Sequence, residues 1–424
     1  MHTRHALTSS SVCLIILLAL ALSVVSLLPR RRPPSPRRSF FPARVHPVDG
    51  GRSGAADRRG GAGGGCDYSD GRWVRDDGGA AAVAAYGEDC PFLDPGFRCA
   101  QNGRADSSFR RWRWQPRRCH LPKFNATDML ERSQNKRIVF AGDSIGRNQW
   151  ESMVCMLAGA VPAGSVYERS GKPISRHRGY LSMVFAGYNL SVEYYRAPMI
   201  VMVDRFPAAN NASSGGGAVR GAVRLDVLPR HAGRWAGADV LVLNTGHWWN
   251  PHKTIRAGNY FMVSDRLNKT MDIKEAFRLS LQTVKDWELS GVRHSKSYFF
   301  FRSYSPSHYS NGTWETGGSC GGQLSPSITG KQLGEEYSWI NEMIAETTES
   351  IRSHGRRAQF LNITRLTELR PDGHPSRHRE PGTPPEAPED CSHWCLPGVP
   401  DTWNEVLYAQ LLSEGYGYGK GRIT

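Results

Sequence analysis

Lys136-Arg-Ile-Val-Phe-Ala-Gly-Asp-Ser-Ile-Gly-Arg-Asn-Gln-Trp150 limits the fold more than any other stretch of the chain. Ile138 to Ala141 is an unbroken apolar run, the mark of a strand buried on both faces. Gly142-Asp143-Ser144 breaks the run, and Trp150, Met153, Val154 and Leu157 then recur at helical spacing. A serine between a buried strand and a helix start sits at the carboxyl edge of a sheet. There the free N–H groups and dipole of the helix favour negative charge. That suits a nucleophile whose attack creates an oxyanion. It suits equally a plain N-cap role for Asp143 or Ser144. This stretch alone leaves both readings open.

From residue 130 onward, strand-like runs alternate with helical ones. Leu190 to Tyr195 alternates and is expected to pair with the 198–203 run. Asp239 to Leu243 is a second buried strand ending in Asn244-Thr-Gly-His-Trp-Trp249. A long helix is predicted after Asp272, a suitable cap, with Ile273, Phe277, Leu281, Val284 and Trp287 on one face. Ser297 to Arg302 and Gln359 to Asn362 are further strands. The alternation predicts an α/β fold: a mostly parallel sheet with helices on both faces and its site at the carboxyl strand ends. Ala212 to Gly221, rich in Gly and Ser, is predicted to be a mobile insertion.

The amino-terminal part places this fold in a compartment. Val12 to Leu28 is a 17-residue run without charge, read as an uncleaved transmembrane signal anchor after a cytosolic tail of residues 1–11. The arginines that follow it favour the opposite orientation, but two other features outweigh them. Of nine Cys, eight lie beyond the anchor, an even set that suits four disulfides in an oxidising lumen. Six Asn-x-Ser/Thr sequons, at Asn125, Asn189, Asn211, Asn268, Asn311 and Asn362, are candidate N-glycan sites. The net charge of +15 is therefore not read as a nucleic-acid interface. Much of it lies in residues 29–65, where nine Arg face two Asp among Pro and Gly. That composition predicts a disordered stem. Residues 66–125 form a small Cys- and Trp-rich subdomain of bridged loops, and 126–424 the catalytic domain. Within the subdomain, Arg110-Arg-Trp-Arg-Trp114 is expected to make structural cation–π contacts rather than a sugar-binding surface. No metal is expected, since Cys391 and Cys395 lack a second pair at zinc-finger spacing.

A serine nucleophile needs a base within reach and an acid to orient it. Two segments offer both. Asp390-Cys-Ser-His393 spaces the pair by three, on one face of a turn, and Cys391 and Cys395 flank His393 and could clamp the loop. Asp372-Gly-His374 spaces them by two around a glycine. The clamp and the shared face favour Asp390 and His393, with a capping role for Asp390 and an Asx-turn for Asp372 as the plainer alternatives.

Gly142-Asp-Ser144, Asn244-Thr-Gly-His-Trp-Trp249, Thr316-Gly-Gly-Ser-Cys320, Asp372-Gly-His-Pro-Ser376 and Asp390-Cys-Ser-His-Trp-Cys-Leu-Pro-Gly398, together with the Cys66–Cys119 block, resemble the plant trichome birefringence-like family. The resemblance spans about residues 66–416. It implies an SGNH/GDSL-esterase-like fold and a single-pass type II protein of the Golgi membrane. It also implies O-acetyl transfer to a wall polysaccharide, most often to O-2 or O-3 of xylan. By motif it implies a triad of Ser144, Asp390 and His393. Asn244 is the expected oxyanion partner, by a looser match. No bound cofactor is implied, but an acetyl donor is, either acetyl-CoA or a derivative of it. An acetyl esterase or a non-catalytic wall-polymer binder would carry the same residues. Trp248, Trp249, Trp394 and Trp403 are candidates for stacking on sugar, and the amino-terminal block is expected to be bridged to the 391–395 loop. Arg377 to Glu389 departs from the family pattern and is read as a loop.

Overall fold

Apolar and polar residues alternate in the outer strands and run continuously in the central ones, and the chain layers itself accordingly. A computed structural model describes residues 66–76, 85–175, 178–206, 219–291, 296–328 and 335–417. The expected tail, anchor and stem lie outside the described residues, as does most of the Gly/Ser-rich insertion. Among the described residues no helix is long and apolar enough to cross a membrane.

The chain starts with β1 (Gly71–Arg75) and β2 (Trp112–Pro116), which pair antiparallel. Helix α1 (Ala126–Arg132) is capped by Asn125 and leads into β3 (Arg137–Gly142) and α2 (Ser144–Ala158). Strands β4 (Val166–Glu168), β5 (Tyr180–Phe185) and β6 (Leu190–Arg196) follow. Next come β7 (Met202–Arg205), β8 (Gly221–Arg224), β9 (Val240–Asn244), β10 (Asn259–Val263) and β11 (Arg266–Asn268). Helix α3 (Ile273–Ser290), β12 (Tyr298–Arg302), α4 (Glu335–Ser353), β13 (Arg357–Leu361), α5 (Thr364–Glu368) and α6 (Val399–Ser413) complete it.

The main sheet has seven strands in the order β13-β12-β9-β3-β6-β5-β4. From β13 to β6 it is parallel, and β5 and β4 extend it antiparallel. Alternate residues of the central strands feed two separate cores. Ile138, Phe140, Val192, Val242 and Phe300 pack with Trp150 and Met153 of α2 and Trp403 and Leu407 of α6. Val139, Ala141, Leu241, Phe299 and Phe301 pack on the other face with Phe277 and Leu281 of α3 and Ile340 and Ile344 of α4. This is the doubly covered α/β sheet expected from the alternation. Asp272 caps α3 by accepting from the amides of Lys274 and Glu275, as predicted.

The predicted pairing of 190–195 with the 198–203 run is wrong. β6 is flanked by β3 and β5 instead. Pro198 has no N–H for a ladder, and the chain turns at Ile200, whose φ is 58°. Its amide donates back to Ala197 O. Met199, Ile200 and Val201 are apolar because they fill the second core, not because they form a strand. Only Met202–Arg205 becomes extended, in a separate four-stranded sheet ordered β11-β10-β8-β7.

The amino-terminal block is more regular than its composition suggested. Trp73 and Trp114 face each other across the β1–β2 pair, edge to face at 5.6 Å. Its cation–π contacts come from Arg104 and Arg110 over Phe109, and from Arg370 over Trp73. Cys66–Cys119 ties its ends, Cys90–Cys155 ties it to α2, and Cys99–Cys395 joins it to the late loop as expected. Cys320–Cys391 closes the same loop from the other side. The 377–389 segment is a loop, pinched at its base by the antiparallel bridge between Ser376 and Asp390.

Candidate active site

Ser144 is the first residue of α2, exposed at the carboxyl end of β3. The preceding acid, not the serine, is the cap: Asp143 Oδ1 accepts from Ile145 N at 2.9 Å and Gly146 N at 3.3 Å. The capping reading therefore holds for Asp143, and the Ser144 hydroxyl is left free of that task. Ser144 Oγ donates to His393 Nε2 at 2.8 Å. His393 Nδ1 in turn donates to Asp390, 2.8 Å from Oδ2 and 3.1 Å from Oδ1. Asp390 Oδ1 also accepts the backbone N–H groups of Ser392 and His393. The acid thus orients the ring and closes the turn carrying it.

Charge follows from this geometry. Burial favours neutral Asp390, but the His393 charge and hydrogen bond and the two backbone donors pull its carboxyl well below the usual range. Burial likewise disfavours charged His393, but Asp390 outweighs it and raises the ring above the ordinary histidine value. The arrangement can take a proton from Ser144 and hold it as an imidazolium against a carboxylate.

Several residues that sequence reasoning missed hold these three together. Asn148 lies one helical turn from Ser144 on the same face. Its Oδ1 accepts from Trp394 N at 2.8 Å and its Nδ2 donates to Trp394 O at 3.2 Å. One side chain thereby locks the 390–395 loop to α2, and the spacing of four from Ser144 was the available signal. Phe97 of the amino-terminal block packs against the His393 ring, with centroids 5.6 Å apart. Phe97 O also accepts from Leu396 N.

Asn244 stands at the end of β9, next to Ser144, and is 3 % exposed. Its Nδ2 donates to Asp143 Oδ1 at 2.6 Å. A Cβ at Gly142 or Gly146 would run into its amide, so both glycines serve its close approach. Asp372 and His374 are not the acid–base pair of Ser144. Asp372 is ion-paired with Arg370 in the interior, and His374 lies behind the loop, donating from Nδ1 to His393 O at 2.6 Å. His247 stacks on Tyr304 at 4.3 Å, and burial pushes its ring down to about 4, so it stays neutral.

Of the four expected stacking tryptophans, Trp249, Trp394 and Trp403 are buried in the core and cannot meet a sugar. Their rings instead fill the spaces behind the site loops. Trp248 stays half-exposed and lines a groove of about 420 Å³ with Arg196, Arg205, Arg230, His231 and Lys253. Arg196 lies opposite Gly142 in the sheet register, so the groove starts one strand from the elbow. Lys253 Nζ sits 5.5 Å from the Trp248 ring and 4.5 Å from that of Trp314, which is 43 % exposed. Of the six sequons, Asn125, Asn189, Asn268 and Asn311 are exposed and Asn362 is half-buried; Asn211 lies outside the described residues.

Residues 121–410 match the GDSL/SGNH-like acyl-esterase family found in Pmr5 and Cas1p, and residues 64–120 match the PMR5 N-terminal domain. Three relatives come from Arabidopsis thaliana. Protein trichome birefringence-like 9 is 53% identical over 83% of this chain and 84% of its own length. Protein trichome birefringence-like 6 is 40% identical over 82% and 70%. Protein trichome birefringence is 37% identical over 82% and 56%. With a Gly-Asp-Ser elbow on a doubly covered sheet, matches to both family models and relatives of this closeness, the chain belongs to the trichome birefringence-like family.

Proposed function

We propose that the protein is a polysaccharide O-acetyltransferase working through an acetyl-serine intermediate. The observation that carries this is the relay from Ser144 Oγ through His393 to Asp390, with both contacts at 2.8 Å. His393 takes the Ser144 proton as Oγ attacks the acetyl carbonyl of a donor, acetyl-CoA or a derivative of it. The oxyanion meets the Ser144 backbone N–H at the helix start and the second Nδ2 hydrogen of Asn244. Collapse expels the donor's leaving group, which takes the proton from His393. A sugar hydroxyl then attacks the acetyl-serine while His393 removes its proton, and Ser144 leaves as the free alcohol. The groove beside Trp248, largely apolar with Arg196, Arg205, Arg230 and Lys253 among its walls, supports a glycan acceptor. Xylan, at O-2 or O-3 of its xylose units, is the acceptor we propose, with the Golgi lumen as the compartment and the 12–28 segment as a type II anchor. Four disulfides and exposed sequons support a lumenal chain.

The test is incubation of the purified chain with an acetyl donor and xylo-oligosaccharides. Acetylated sugar that disappears in Ser144→Ala is expected. Free acetate without acetylated sugar would make it an esterase, and glycan binding without turnover in either form would make it a binder.

A further inference from the structure

Two histidines behind the base loop, His374 buried and His308 half-buried, have no part in the relay, and each of their ring nitrogens has a partner. His308 Nε2 lies 2.9 Å from Glu368 O, His308 Nδ1 lies 2.7 Å from His374 Nε2, and His374 Nδ1 lies 2.6 Å from His393 O. A carbonyl oxygen only accepts, so both outer nitrogens must carry hydrogen. The inner contact needs one hydrogen between its two nitrogens. Three N–H hydrogens on two rings is one more than two neutral imidazoles possess.

We propose that His308 and His374 are a dyad holding one extra proton between two backbone carbonyls, and that this charged pair positions His393. The dyad grips the backbone oxygen of His393 from one side, and the relay grips its ring from the other. His374 is 2 % exposed and packs tilted against Trp394 with centroids 4.0 Å apart, while the backbone N–H of His308 donates to Cys391 O. Burial and the His308 charge beside it hold the His374 ring far below ordinary histidine protonation. Whichever ring holds the extra proton donates from both nitrogens, and its partner is the neutral acceptor at the inner contact. Other charged groups face the pair from each neighbouring element. Glu368, ion-paired with Arg365, lies on α5, Asp390 and His393 lie on the loop, and Arg104 of the amino-terminal block donates to His374 O. The Arg370–Asp372 ion pair lies on the turn before His374. Loss of the shared proton leaves two ring lone pairs facing each other, or one carbonyl without its donor. The grip on His393 is thus complete only below the pKa of the dyad and weakens as pH rises through it.

The positioning role rests on the proposed role of His393 as base; the proton count does not. The test uses the full chain with 15N-labelled imidazole rings. NMR should show both nitrogens of one ring protonated and a single protonated nitrogen on its partner, with both patterns lost together in His308→Asn or in His374→Asn. Two neutral rings in the wild type at pH 6 to 7 would overturn the dyad, whatever the variants do. Phosphonylation of Ser144 by a fluorophosphonate, with loss of fluoride, followed against pH, tests the positioning. Each Asn variant should react roughly tenfold more slowly and lose the alkaline fall in rate that the wild type shows. A wild type without that fall, or variants that keep it, would overturn the positioning role. Labelling that persists in Ser144→Ala would instead refute the triad and leave the NMR result standing.

Discussion

Asp390→Asn is the sharpest perturbation of the relay, because the structure dictates which way the new amide turns. Asp390 Oδ1 accepts the N–H groups of Ser392 at 3.2 Å and His393 at 3.0 Å, while Oδ2 faces His393 Nδ1 at 2.8 Å. An Asn keeps its oxygen on the two backbone donors and points its NH2 at Nδ1. Nδ1 must then be bare, and the hydrogen moves to Nε2. That nitrogen then meets Ser144 Oγ as a donor and cannot take its proton. Turning the amide over restores the tautomer but leaves two backbone donors facing an NH2 group, at roughly 1–3 kcal/mol each. With the carboxylate charge also gone, acylation should slow by about 10³–10⁴-fold, equivalent to ~4–5.5 kcal/mol, the scale known for serine triads. The assay is stopped-flow acetylation of Ser144 by a chromogenic acetate ester, with the acyl-enzyme mass as a check. The thermal midpoint should hardly move, because the turn keeps its caps. Acetylation within tenfold of the wild type would refute the relay as the source of reactivity.

Three further outcomes follow from the same geometry. His393 must be neutral to accept a proton, and Asp390 raises its pKa. The acid limb of kcat/KM should therefore lie above the ordinary histidine value, with activity rising as pH passes it, and the residual activity of Asp390→Asn should show that limb moved down. Gly146→Ala, which normally strengthens a helix, should lower the melting temperature by an overpacking cost of ~1–3 kcal/mol, since its Cβ would strike the Asn244 amide; a raised melting temperature would contradict this. Trp248→Ala should raise KM for an oligosaccharide acceptor by roughly 3–10-fold, on the ~0.5–1.5 kcal/mol scale of an aromatic contact, and leave donor acylation unchanged, as measured by initial rates.

Period and punctuation in the sequence were enough for the central strands and for the elbow at Ser144. Continuous apolar runs such as Ile138–Ala141 have few alternatives to a doubly buried strand. The Asp390/His393 pair was legible because a spacing of three within a bridged loop leaves a short list of geometries. What escaped was set by contacts distant in sequence. The β1–β2 pair joins segments separated by a Cys-rich loop, so no hairpin signal exists to be read. The 198–203 run has strand composition but lacks a ladder donor at Pro198, and burial alone explains its residues. Trp249, Trp394 and Trp403 looked available for sugar because an indole reads alike in a core and in a groove. Asn148 and His374 act through backbone atoms of residues 394 and 393, and a backbone partner has no letter in the sequence.

The Cys99–Cys395 bridge has a consequence for the order of events during synthesis. Its halves are 296 residues apart, whereas those of Cys90–Cys155 are 65 apart. At about 5–20 residues per second, roughly 15–60 s pass between the appearance of the first half and the second. Through that interval the nascent chain carries Cys99 as an open thiol, with Cys66, Cys119 and Cys155 as wrong partners within reach. A product that stops short of residue 395 never closes the bridge, and one that stops short of residue 390 also lacks Asp390 and His393. Only once residue 395 has been made can the loop that carries Asp390 and His393 be tied to the amino-terminal block.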